Sequence, residues 1–343
     1  MTLAKIYWKL LSVFVIFFGP SVLLADNSYR HAPTKPLEQG CQILSRGPGV
    51  DVKAHNPGLQ SFLGDFLGDL SAKKWKSLRR YLHKKSRRHT GFGERVQVLV
   101  ENRYQLPNFS IYRVWSLADS EKRKQPYRCP YTDFEDIVSR YGFAEQYFVT
   151  IQILGQKELG RIFIVVAPDR AGQLAIVGFH MQQWSFQGKD WQAWMELGQH
   201  HQKNGDKKAA YLAYTVSEKM LRGGDFVRYL RGPEISRDRT NIMTDQAFVQ
   251  ALARDGADTD IVYGASALHP EGLGLFVRVG IEKEMNKETL VKRCQKIGRN
   301  LMKTGWLKAP GGGVKCNYIP KGSDPEKDSV IGGYYISQKD FGQ

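Results

Sequence analysis

Apolar residues recur at helical spacing from residue 59 onward. A first stretch places leucine and phenylalanine three or four positions apart, which predicts an amphipathic helix. Its apolar residues are Leu59, Phe62, Leu63, Phe66, Leu67 and Leu70. A second helix is predicted by Trp75, Leu78 and Leu82, at i, i+3 and i+7. Residues 26–57 are rich in Pro, Gly, His and Asn without lasting periodicity, so we expect an extended linker there.

After Pro107 the pattern changes to runs of β-branched and aromatic residues, which predict strands. These strands cover 109–117, 146–154, 161–167 and 173–184, and Gly- or Pro-bearing turns join the last three into hairpins. Gly178 interrupts the last strand and indicates a bulge or bend. A short helix is predicted before the hairpins, because Thr132 and Glu135 have capping-box spacing. Helices followed by an antiparallel meander predict an α+β domain over 58–187.

Residues 232–343 show a second succession of helix and strand patterns. A helix is predicted over 244–254 and strands over 260–268 and 273–281. The next helix carries an apolar stripe at i, i+4, i+7 and i+11. The stripe consists of Leu290, Cys294, Ile297 and Leu301. Two short strands, VKCNYI and GGYYIS, follow it, so we expect a second small α+β domain here.

The element order of residues 58–187 resembles the cystatin-like cone of the nuclear-transport-factor superfamily. Helices, one strand, a short capped helix and three long hairpin strands follow one another in that order. The stretch AIVGFHMQQWSFQGKD is similar to the last strand of exported bacterial members. The resemblance implies a helix packed over a curved antiparallel sheet with a cavity between them. It also implies a role set by what fills the cavity, since this fold hosts binders and enzymes.

Residues 188–231 resemble a single tetratricopeptide repeat. The resemblance is carried by Trp194, Leu197, Gly198, Gly205, Asp206, Ala210 and Tyr214. Small residues at 198 and 210 would let two antiparallel helices approach closely. His201 and Arg222 depart from the repeat pattern. One copy cannot form a solenoid, so we expect a lone helical hairpin docked on a neighbouring domain.

Residues 1–25 have the three parts of an export signal. Lys5 and Lys9 supply the positive flank, and the run 10–24 is uncharged, with a Gly-Pro pair that breaks it before Ala25. The run is about 15 residues long, whereas roughly 20 are needed to span a bilayer. We expect a signal peptide that is cleaved near Ala25, and hence a periplasmic or secreted protein. The alternative is an uncleaved N-terminal membrane anchor.

Four cysteines lie outside that segment, and an even number in an exported chain allows two disulfides in three pairings or, alternatively, four free thiols. They are Cys41, Cys129, Cys294 and Cys316. Cys294 lies on its helix's apolar stripe and Cys316 alternates with Val314 and Tyr318, so both should face one core. We predict a Cys294–Cys316 bridge, with Cys41–Cys129 as the second. No C-x-x-C spacing occurs, so neither zinc nor thioredoxin-like chemistry is expected.

Positive charge is the main functional feature of the sequence. Lys and Arg number 50 against 34 Asp and Glu, a formal net charge of +16. Nine cations fall within one segment of sixteen residues, with no acid between Leu70 and Gly93. They are Lys73, Lys74, Lys76, Arg79, Arg80, Lys84, Lys85, Arg87 and Arg88. This run predicts either binding to an anionic envelope partner or protein, or a merely solvated helix face.

The apolar stripe of the same run predicts one of two contacts. Trp75, Leu78 and Leu82 dock on the sheet or, alternatively, enter a membrane interface, so peripheral membrane contact stays open. Nucleic acid is not expected as the partner, because the protein is exported and few aromatic residues are interleaved with the cations.

No catalytic constellation, cofactor motif or metal-ligand set occurs in the sequence, so none is predicted. The acidic residues Asp133, Glu135 and Asp136 are expected in a helix's first turn, where the dipole favours them. His180 and Gln182 alternate on one strand face and would orient a ligand if that face lines the cavity; otherwise they are solvated. We therefore expect a non-catalytic binding or assembly module. The alternative is an enzyme with its site around His180.

Overall fold

The computed structural model describes residues 40–46, 51–88, 91–118, 126–130, 132, 135–140, 142–269, 272–282, 285–307, 312–325 and 327–342. The predicted signal peptide lies outside these residues. Two compact units make up the fold. The first unit contains His31–Met195 and Ser217–Ile235, and the second contains Glu196–Val216 and Ser236–Gln343. Both combine helices with antiparallel strand pairs, so the α+β class is confirmed. The domain boundaries inferred from the sequence stay predictions.

The first unit is built on a five-stranded antiparallel sheet. Its spatial order is β1 (Cys41–Arg46), β2 (Asn108–Ala118), β5 (Glu145–Leu154), β6 (Leu159–Pro168) and β7 (Leu174–Gln183). Consecutive hairpins join β5, β6 and β7, as the turns predicted. The residues of β5 and β6 alternate between two faces, and both faces of these two central strands are largely buried.

One face of this sheet is covered by helices. They are α1 (Pro57–Ser71), a 3₁₀ helix (Trp75–Tyr81) and α2 (Phe92–Arg103). The core between these helices and the sheet includes Leu59, Leu63, Phe66, Leu70, Val96, Val100, Val149, Ile151, Ile162 and Ile164. The helical periodicity predicted for α1 is therefore confirmed.

The opposite face carries a row of rings that crosses four strands. Trp115, Phe148, Phe163 and His180 follow one another with ring centroids 5.8, 5.7 and 6.4 Å apart. The same unit contains a small antiparallel sheet of β3 (Pro126–Tyr127), β4 (Glu135–Val138) and β8 (Val227–Tyr229). The Trp115 indole N–H donates to the carbonyl of Pro130, which follows β3, so this region lies against the ring row.

Two helices, α3 (Trp191–Lys203) and α4 (Lys207–Met220), have residues in both units. In the second unit a Cβ at Gly198 would lie 3.1 Å from the Tyr214 ring, so the absence of a side chain there permits close packing of the two helices. The predicted hairpin of two helices is present, whereas its tetratricopeptide assignment stays a prediction.

The second unit contains a four-stranded sheet with the order β12 (Gly332–Ile336), β11 (Val314–Pro320), β10 (Gly272–Ile281) and β9 (Ile261–His269). The β10–β11 pair is parallel and the other pairs are antiparallel. Helices α6 (Asp245–Asp255) and α7 (Lys287–Lys303) accompany it, and α5 (Gly232–Ile242) has residues in both units. The predicted stripe of α7 is confirmed: its residues Leu290, Cys294, Ile297 and Leu301 are all buried.

Both predicted disulfides are present. Cys41–Cys129 has a Cα–Cα distance of 5.4 Å and Cys294–Cys316 one of 5.8 Å. Two such bridges are consistent with an oxidising, extracellular or periplasmic compartment. Within the described part of the chain, no helix combines the length and apolar character that crossing a membrane requires.

The sequence predictions were wrong at three elements. The predicted helix after Thr132 is strand β4 at Glu135–Val138, because it pairs with β3 and β8. Glu135 and Asp136 consequently lie on a strand and not in a helix's first turn, and Asp133 lies outside the described residues. Residues 41–46, assigned to a linker, form strand β1, which pairs with β2. The second predicted helix is a 3₁₀ helix that ends at Tyr81. Helix α2 was not predicted.

Candidate functional site

The segment of residues 73–88, here called the basic segment, is anchored by its apolar side chains. Trp75, Leu78 and Leu82 are buried in the core beneath the helices. The backbone of His83 also donates to the carbonyl of Ile176 at 2.9 Å, which ties the segment to strand β7. The apolar stripe therefore docks on the sheet. This is the first of the two contacts that the sequence predicted.

Arginine side chains stabilise the backbone conformation of the basic segment by hydrogen bonds to its carbonyl groups. Arg87 Nε donates to the Leu82 carbonyl at 2.7 Å and Arg87 Nη2 donates to the Arg80 carbonyl at 2.6 Å. Arg79 Nε donates to the Arg87 carbonyl at 2.7 Å. Charged donors to backbone carbonyls make strong hydrogen bonds. Two of the nine predicted cations thus have a structural role within the segment.

A carboxylate just before the segment neutralises two more of the cations. Asp69 is buried near the end of α1, and its Oδ2 lies 2.9 Å from Arg80 Nη2. Its Oδ1 lies 3.5 Å from Lys74 Nζ. Asp69 Oδ2 also accepts a hydrogen bond from the Tyr81 hydroxyl at 3.1 Å. Helix α1 therefore supplies, through Asp69, the acidic partner that the basic segment itself lacks.

Four lysines remain on the outside of the basic segment. Lys73, Lys76, Lys84 and Lys85 have exposed side chains, and none of them forms an ion pair with a described residue. Lys84 and Lys85 lie between the carbonyls of residues 82 and 87, which accept the arginine bonds, whereas Lys73 and Lys76 lie beside the buried Trp75. Arg88 belongs to the last turn of the segment, but its side chain lies outside the described residues. The segment therefore presents a positive surface on an ordered support.

The other predicted site, around His180 and Gln182, lies on the face opposite the helices. The Gln182 side chain is buried; it donates to the Met220 carbonyl and accepts from the Tyr229 hydroxyl at 2.8 Å. His180 Nε2 lies 2.8 Å from the Arg222 carbonyl, and a Cβ at Gly224 would lie 2.9 Å from His180 Nδ1. Residues 220–229 thus supply the polar partners of both side chains.

Burial lowers the pKa of His180 below its ordinary value, and this effect outweighs the hydrogen bond to Arg222 and the nearby Asp225, which raise it. The His180 ring bonds a backbone carbonyl and stacks on Phe163, so it is packed within the first unit. The geometry of this site is that of a buried polar contact within the first unit.

A bulge in β7 puts Ile176 on the face opposite to that of His180 and Gln182, although plain alternation along the strand would place all three on one face. The β6–β7 register shifts so that Val165 pairs with Gly178 and Val166 with Ile176. Ile176 therefore joins the core under the helices, whereas His180 and Gln182 point to the opposite face. Gly178 sits at this shift, where a bulge or bend was predicted, and the bulge is confirmed; a Cβ at Gly178 would lie 2.7 Å from the Phe226 ring.

No group of three or more His, Cys, Asp or Glu side chains suited to a metal ion occurs among the described residues. The chain matches no protein-family model, no curated protein and no solved structure. The basic segment is therefore the candidate site, and its function is argued from its own geometry.

Proposed function

We propose that this protein is an exported, non-catalytic binding or assembly module that engages an anionic envelope surface through the basic segment. The observation that carries the proposal is the set of four exposed lysines on an ordered, core-anchored support. Like charges held close together repel one another, and an anionic partner relieves that cost. The two disulfides support a protein that works outside the cytoplasm.

The arrangement favours a surface over a small anion as the partner. Lys73 and Lys76 flank the start of the 3₁₀ helix, whereas Lys84 and Lys85 lie in the turn after it. Their amines are thus distributed along the outside of the segment. Acidic lipid head groups, spread over a plane, suit such a distribution, and each cation near them contributes about 1 kcal/mol.

The finer fold assignments belong to the same proposal. We infer that the first unit is a cystatin-like domain, supported by helices that pack on one face of a five-stranded antiparallel sheet. The pair α3 and α4 is inferred to be a tetratricopeptide-like hairpin, supported by the close contact of Gly198 with the Tyr214 ring.

The test is co-sedimentation with vesicles of phosphatidylglycerol and phosphatidylcholine, compared with pure phosphatidylcholine. Replacement of Lys73, Lys76, Lys84 and Lys85 by Gln should weaken binding to the anionic vesicles by about a hundredfold or more. Binding of the wild type should fall as salt is raised, because the contact is electrostatic.

The matched control removes four exposed lysines of the second unit: Lys203, Lys287, Lys296 and Lys303, each changed to Gln. It changes net charge by the same amount and should retain most of the binding. Equal losses in both quadruple variants would show that net charge, and not the basic segment, drives adsorption. A wild type that ignores anionic vesicles at low salt would refute the proposal.

A further inference from the structure

Helices α6 and α7 pack on one face of the sheet of the second unit. Val314, Cys316 and Tyr318 of β11 belong to the core shared with α7. Because side chains alternate along a strand, Lys315 and Asn317 lie on the opposite face, here called the outer face. The pairing register of the four strands identifies the other residues of the outer face.

Two cross-strand rows on the outer face combine rings with cations. In the first row, Lys315 stands between Phe276 of β10 and Tyr335 of β12, with which it is directly paired. In the second row, Arg278 stands between Tyr263 and Asn317. Ala265 and Gly333 complete the two rows, so neither contains an acid.

The two cations differ in their surroundings. The Arg278 side chain is buried; it donates to the Pro325 carbonyl and lies 6.0 Å from the Phe276 ring centroid. Lys315 is partly buried, and no hydrogen bond or ion pair joins its amine to a described residue. Burial lowers the pKa of Lys315, because its ammonium has lost hydration without gaining a counter-ion.

We propose that Lys315 and the flanking rings of Phe276 and Tyr335 form a binding site for a carboxylate attached to a ring. The carboxylate would supply the counter-ion that the Lys315 ammonium lacks, and charge-assisted hydrogen bonds of this kind are strong. The ring would pack on the aromatic side chains, which give large contact areas. This site is independent of the basic segment, which lies in the other unit.

Two sources share this chemistry: aromatic acids and the sugar acids of envelope polymers. Calorimetric titration of the full chain with sodium benzoate and with sodium glucuronate distinguishes them, and benzamide and glucose serve as neutral analogues. At least one acid should bind with a Kd of about 1 mM or tighter, and its neutral analogue at least about tenfold more weakly.

Lys315→Met keeps the aliphatic stem and should weaken binding of that acid by about tenfold or more. Lys292→Met, which alters an exposed lysine of α7, should leave it unchanged. Lys315→Arg retains the charge and should keep the preference for the acid, which separates loss of the site from loss of the fold. Failure of both acids to bind, or equal binding by Lys315→Met, overturns the proposal.

Discussion

Asp136 on β4 pairs directly with Arg228 on β8, and Asp136 Oδ2 accepts a hydrogen bond from Arg228 Nη2 at 2.6 Å. The other carboxylate oxygen accepts from Arg128 Nε. The Asp136 side chain is completely buried, whereas both arginine side chains reach solvent. One buried charge thus joins residues that follow β3 to residues of β8.

Asp136→Asn should destabilise the first unit substantially. The substitution removes the carboxylate charge with which both Arg128 and Arg228 pair. Removing one partner of a buried ion pair costs about 3 kcal/mol or more of folding stability. The free energy of unfolding is measured by denaturant titration. Asp225→Asn is the matched control, since Asp225 forms an exposed pair with Arg140 at 3.4 Å; it should cost less than about 1 kcal/mol. Similar losses in the two variants would contradict the role of the buried pair.

Asp136 also shows where sequence reasoning about the fold fails. The pattern Thr132…Glu135 is a local helix signature, but one of the two strands that pair with β4 lies about ninety residues later, at β8. Long-range pairing overrode a short local preference, and no window of a few residues contains that information. In contrast, the stripe of α7 repeats over several turns and faces one core, so its burial could be predicted.

The basic segment was only partly predictable for a related reason. The cations and the apolar stripe of Trp75, Leu78 and Leu82 could be read from the sequence, and the burial of that stripe is confirmed. The run of cations begins after Asp69, so the pairing of Asp69 with Arg80 could not be anticipated from the run itself. Arginine bonds to backbone carbonyls likewise depend on how the segment turns back on itself.

Removal of either disulfide should destabilise the unit that contains it, and the longer loop should matter more. In the chain-entropy model, the 22-residue separation of Cys294–Cys316 corresponds to about 3 kcal/mol and the 88-residue separation of Cys41–Cys129 to about 4.5 kcal/mol. Paired Cys→Ala variants and denaturant titration measure both losses. Peptide mapping of the oxidised wild type should recover these two linkages; a different pairing would refute the arrangement.

The first unit should lose stability as the pH falls below about 6.5, the ordinary pKa of histidine. Burial lowers the pKa of His180 in the folded state, so the His180 ring is protonated more readily in the unfolded chain than in the folded one. This contribution is fully present above pH 6.5 and is lost as the pH falls from there through the folded pKa. Unfolding titrations at a series of pH values should show a shallower acid loss in His180→Gln than in the wild type. His55→Gln, which alters an exposed histidine of the same unit, is the matched control. An identical slope in His180→Gln and the wild type would show that His180 does not contribute.

Trp75→Ala should destabilise the fold and should not directly affect the contact with an anionic surface. The Trp75 side chain is 7% exposed in the core beneath the helices, and a Cβ at Gly93 would lie 2.0 Å from the Trp75 carbonyl, so α2 packs closely on this turn. Truncation of a buried tryptophan leaves a cavity and lowers the free energy of unfolding by about 3–5 kcal/mol. Leu106→Ala is the control for loss of a large apolar side chain; Leu106 is 72% exposed, and its change should cost within about 0.5 kcal/mol.

Under conditions where Trp75→Ala remains folded, its binding to anionic vesicles should equal that of the wild type, because the four exposed lysines are unaltered. If Trp75→Ala instead keeps full stability and loses vesicle binding, the indole inserts into the lipid interface, and the alternative contact for this stripe is the correct one.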